Sequence, residues 1–127
     1  MAGDKRHAIR ITAESRYLPE QSNPDQGVYA FAYTVTITNA GDVPAQLVSR
    51  HWIIEDAKGR CKEVRGLGVV GHQPLLRPGQ SFEYTSGSQI DTPNGQMRGS
   101  YFFVTEDGAR FDATIETFEL SMPRTLH

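Results

Sequence analysis

Tyr29, Phe31, Tyr33, Val35 and Ile37 alternate with Ala30, Ala32, Thr34 and Thr36. A period of two carried by aromatic and β-branched side chains predicts a long strand with one face in a core. Similar patterning marks Ile9 to Tyr17, with Ile9, Ile11 and Ala13 on one face, and Ala109 to Leu120, with Phe111, Ala113 and Ile115 aligned. Further strands are predicted over Ala45 to Asp56, Phe82 to Ser86 and Arg98 to Glu106. No window sustains apolar residues at i, i+3, i+4 and i+7, so helix is expected to be absent or limited to a turn.

Turn chemistry separates these segments: Asn39-Ala40-Gly41-Asp42, Asp56-Ala57-Lys58-Gly59, Pro78-Gly79, Pro93-Asn94-Gly95 and Glu106-Asp107-Gly108. Each supplies a fixed φ or tolerance of a positive one. About seven or eight strands joined this way predict an all-β fold, an antiparallel β-sandwich of immunoglobulin or fibronectin type III architecture. Trp52 falls on the third strand, where such sandwiches bury an indole. Tyr101 opens the penultimate strand, where a corner tyrosine bonds back to an upstream backbone group.

A length of 127 residues fits one domain, 1–127, with short flexible ends near 1–6 and 122–127. The composition, 38% hydrophobic and 22% charged with a net charge of -2, is that of an ordinary soluble protein and calls for neither nucleic acid nor a membrane as partner. No apolar run follows the charged N-terminus, so no signal peptide is expected, and no stretch approaches a membrane span. Cys61 has no second cysteine to pair with, which points to a reducing, cytoplasmic setting. Arg60 and Lys62 flank this thiol, but no motif supplies an orienting base, so it is expected to be a half-buried strand residue.

Gly66-Leu67-Gly68-Val69-Val70-Gly71 matches the spacing G-x-G-x-x-G. A dinucleotide site needs a buried parallel strand before the glycines and a helix after them, whose N–H groups hold the pyrophosphate. Lys62, Glu63, Val64 and Arg65 are too polar for that strand, and Pro74 and Pro78 would break that helix. Two readings remain. The run is a structural loop where the chain crosses between sheets, or it forms an anion-binding nest of backbone N–H groups at Gly66, Gly68 and Gly71 with Arg65 and His72 beside it.

His7, His51, His72 and His127 share no metal-ligand spacing, and only His51 with Glu55 would share a strand face. Ser86-Gly87-Ser88 carries no nucleophile-elbow pattern, so these serines are expected to end a strand. No catalytic, cofactor or metal residue is assigned.

Hydrophobic residues occupy both faces of two strands. Trp52 and Ile54 oppose Leu47 and Ile53, and Tyr101 and Phe103 oppose Phe102 and Val104. A sandwich sheet needs only one apolar face. With Trp52 and Tyr101 inward, Leu47, Ile53, Phe102 and Val104 form a candidate surface for a protein partner or a second copy.

Several motifs coincide: Trp52-Ile53-Ile54 followed by Asp56 and Gly59; Val64 to Gly71; Leu76-Arg77-Pro78-Gly79-Gln80-Ser81-Phe82-Glu83-Tyr84-Thr85-Ser86-Gly87; and Thr92 through Tyr101. Together they cover nearly the whole chain, and in them it resembles the bacterial ApaG family. That resemblance implies a fibronectin type III-like sandwich without established catalytic residues. The family is commonly encoded near enzymes that hydrolyse diadenosine tetraphosphate and is associated with divalent-cation efflux. Its relatives in eukaryotic F-box proteins and a DNA polymerase delta-interacting protein imply a non-enzymatic protein-interaction role. The alternative the resemblance leaves open is phosphate or nucleotide-polyphosphate binding at loop 66–72.

Overall fold

The computed structural model describes residues 6–123. Eight strands follow in order: β1 (Ile9–Tyr17), β2 (Tyr29–Asn39), β3 (Ala45–Asp56), β4 (Cys61–Leu67), β5 (Leu75–Leu76), β6 (Ser81–Ile90), β7 (Asn94–Thr105) and β8 (Arg110–Ser121). Among the described residues, helix is confined to two three-residue 3-10 turns, Pro19–Gln21 and Pro24–Gln26, each opened by a proline whose fixed φ suits a first turn.

Every pairing is antiparallel. One sheet has the order β1-β2-β6; the other runs β4-β3-β7-β8, with β5 joining β3 beyond the end of β4. This is the predicted all-β sandwich of fibronectin type III type. The alternation along β2 explains its place: Phe31, Tyr33, Val35 and Ile37 turn into the core, while Ala30 and Ala32 on the other face lie beneath Leu18. Leu47, Met97, Phe103, Ile115 and Leu120 meet them from the second sheet. Each such side chain contributes about 1.5–3 kcal/mol on leaving water.

Trp52 is buried as expected, edge-on to Tyr33, Tyr101 and Phe118 at ring distances of 5.3, 6.1 and 5.9 Å. Tyr101 departs from the corner-tyrosine expectation. Asn94 and Gly95 already belong to β7, so Tyr101 lies well inside the strand, and its hydroxyl meets that of Tyr84 in the opposite sheet at 2.5 Å. Burial raises both phenol pKa values, that of Tyr84 to about 12. The pair therefore stays neutral and ties the two sheets together.

Two further expectations are corrected. Ser86-Gly87-Ser88 continues β6, with Gly87 opposite Ala32, instead of ending it. Leu47 faces the core and is fully buried, because the β3–β7 register shifts between Leu47 and Ser49. Val48 is the extra residue; a bulge of this kind reverses the face on which every earlier side chain stands. Leu47 therefore shares the inner face with Trp52 despite its odd number.

Candidate functional site

The glycine run is not a crossing between sheets. After Leu67 the chain leaves the ladder, makes an excursion, and rejoins β3 at Leu75; it reaches the other sheet only after Pro78-Gly79. At the excursion's tip Val69 and His72 bond reciprocally at 2.8 Å, and the two residues between them have positive φ, 42° at Val70 and 83° at Gly71. That is the requirement of a type I′ turn. Gly68 has φ 65°, and a Cβ there would stand 2.3 Å from the His72 carbonyl oxygen. Gly66 lies beneath the Arg50 guanidinium, whose atoms come within 2.8 Å of where its Cβ would be. Arg50 in turn donates to the carbonyls of Leu67 and Gly68 at 3.0 and 2.9 Å.

This geometry bears on the anion nest. The N–H of Gly68 donates to Val48, that of Val69 to His72 and that of His72 to Val69. The His72 ring lies 5.7 Å from that of Phe82, and Arg65 is 3.7 Å from Glu63. Among the described residues no helix follows Gly71, and the chain continues as strand, so the dinucleotide arrangement is not formed there.

The excursion presents apolar side chains instead. Among the described residues, the exposed large hydrophobics are Val70 at 52%, at the excursion's tip, and Leu67 at 74% and Leu75 at 52%, on the strands at its two ends. Register places Leu75 beside Gln46 and Val104, Leu67 beside Ser49 and Phe102, and Arg65 beside His51 and Ser100. The outer face of the larger sheet thus carries Ile53, Phe102 and Val104, each half-buried, with Leu67 and Leu75 at its margin. Three of the four residues predicted for a surface share this face, and Leu47 does not. Leu67 and Leu75 escaped sequence reasoning because one lay inside a glycine motif and the other beside a proline.

Polar groups divide the face into rows. A shallow hollow of about 540 Å³ is lined by Ser49, Arg50, His51, Arg65, Gly66, Leu67, Ser100, Phe102 and Asp112. His51 Nε2 bonds Glu63 Oε1 at 2.8 Å. Glu55 stands on the same face as His51, but it accepts from Arg98 at 2.8 Å and Gln96 at 3.1 Å, and the bond from Arg98 foremost holds its carboxyl below the usual range. His51 and Glu55 are thus committed to different partners, and no group of three or more potential metal ligands occurs among the described residues. Cys61 is exposed on β4, where a half-buried residue was expected. No described helix is long and apolar enough to cross a membrane.

The family model for the ApaG domain matches residues 19–105. The chain is 63% identical to Protein ApaG of Ralstonia nicotianae over 96% of its own length and 98% of that protein's, and 55% identical to Protein ApaG of Methylobacillus flagellatus over the whole of both. A crystal structure of a Bordetella pertussis protein named ApaA superposes with a TM-score of 0.92 at 57% identity, covering 95% of this chain and 98% of that one. On its sequence, its sheet order and these relatives, the chain belongs to the ApaG family.

Proposed function

We propose that this chain is a non-enzymatic binding module that presents the outer face of its β4-β3-β7-β8 sheet to another protein. The observation that carries this reading is the coincidence on one face of half-buried Ile53, Phe102 and Val104 with exposed Leu67 and Leu75. Apolar side chains set among polar ones in this way are characteristic of a protein-binding surface. The glycine excursion links β4 to β5 at the margin of that surface, where Leu67 and Leu75 stand.

The reading is preferred to phosphate binding at loop 66–72 because three of the loop's N–H groups are already bonded within the backbone. A nest requires convergent free N–H groups. Calorimetric titration with ATP and diadenosine tetraphosphate, with and without Mg²⁺, is expected to give no binding heat at millimolar ligand. Saturable heat lost on Arg65→Ala would favour the loop site instead.

The direct test compares cross-linked partner capture by the wild-type chain and by Phe102→Glu/Val104→Glu. Both side chains point away from the core, so the variant should keep its melting temperature within a few degrees and lose the captured species. Retention of the same species by a folded variant would contradict the reading.

A further inference from the structure

We infer that the outer face of the larger sheet pairs with the same face of a second copy of this chain, about a two-fold axis lying in the interface parallel to β3 and β7. The inference rests on the binding-surface reading and names the partner.

Three observations single out this partner. First, in two adjacent rows a small side chain stands beside a large one. Ser49 on β3 is opposite Phe102 on β7, and His51 on β3 is opposite Ser100 on β7. A two-fold axis between these strands and along them sets β3 of one copy over β7 of the other. Phe102 then faces Ser49 and His51 faces Ser100, each twice, so protrusions meet recesses as close packing demands.

Second, the same rotation brings the β4 margin of one copy onto the β8 margin of the other. Arg65 on β4 is 70% exposed with only the 3.7 Å contact to Glu63, while Asp112 on β8 is exposed with no ion pair among the described residues. They lie in neighbouring rows of the same face, two residues or about 6.8 Å apart along the strand, a distance that the long arginine side chain spans. The hollow itself holds Arg50 and Arg65 against Asp112, with Glu63 bonded at its edge. Balanced charge of this kind suits a surface that itself carries both signs better than a small anion.

Third, the dimensions suffice. Four strands about 4.8 Å apart and some ten residues long make a face of roughly 19 by 33 Å. With side-chain relief this approaches the ~800 Å² per partner of a stable interface.

Sedimentation velocity of the full chain from 1 to 500 µM provides the test, with circular dichroism melts confirming that each variant folds. The wild type is expected to dimerise in this range. Ser49→Phe, which fills the recess, should abolish dimerisation. Arg65→Asp should weaken it at least tenfold, and Arg65→Asp combined with Asp112→Arg should restore it. A wild type that stays monomeric at 500 µM, a dimer indifferent to Ser49→Phe, or a double variant no tighter than Arg65→Asp would overturn the inference. A monomeric wild type whose partner capture is still lost in Phe102→Glu/Val104→Glu would leave the binding-surface reading standing. Unchanged capture would remove both.

Discussion

Gly68 and Gly71 both have positive φ, yet their surroundings differ in a way that substitution should reveal. A Cβ at Gly71 meets open space, whereas at Gly68 it collides with the His72 carbonyl. Left-handed backbone costs a non-glycine residue about 1–2 kcal/mol. Gly71→Ala should therefore lose about 1 kcal/mol in urea unfolding, and Gly68→Ala clearly more, because the excursion must also shift. Equal losses would mean that the turn relaxes freely. The buried tyrosines make a second prediction at this scale. In the unfolded chain a phenol ionises near pH 10, while folded Tyr84 holds its proton to about 12 and Tyr101 is raised as well. Protons bound more tightly in the folded state stabilise it below pH 10, and that stabilisation falls as pH rises toward 12. Tyr84→Phe/Tyr101→Phe should flatten this alkaline fall in melting temperature; an identical slope would show that the pair does not govern it.

At the level of strands, the bulge at Val48 decides which residues are core. Leu47→Ala should cost about 2–5 kcal/mol as a cavity in a packed interior. Ile53→Ala should cost about 1 kcal/mol, since part of its side chain is already in water and its removal leaves no closed cavity. Comparable losses in chemical denaturation would place both on one face and contradict the register. The same bulge marks the limit of what the sequence discloses. Period-two patterning located β1 and β2, whose inward-facing side chains alternate along the whole strand. It missed β4, an edge strand whose Cys61-Lys62-Glu63-Val64-Arg65 buries almost nothing, and β5, too short to show a period. It also assigned Leu47 to the wrong face, since a bulge leaves no residue signature and counting alone assumes an unbroken ladder. Ile53 was legible as outward because it stands on the Trp52 side of the bulge, and Phe102 and Val104 because β7 carries no extra residue there. Leu67 and Leu75 were not, because they stand on β4 and β5, the two strands that periodicity missed.

For the whole molecule, the two sheets differ in what they offer. The outer side of β1-β2-β6 is closed at one end by Leu18 over Ala30 and Ala32 and elsewhere carries Thr34, Thr36, Thr38 and Glu83, linked by side-chain bonds to β6. The outer side of β4-β3-β7-β8 carries Ile53, Phe102 and Val104 with the leucine margin. On the proposed reading, the core is structural and the larger sheet's outer face is the surface that binds. The most direct measurement is photo-crosslinking with a benzophenone side chain at position 102, compared with the same probe at position 36 on the opposite face. A binding face on the larger sheet predicts an intermolecular adduct from position 102 and little from position 36. Adducts of equal yield from both positions, or from position 36 alone, would contradict it.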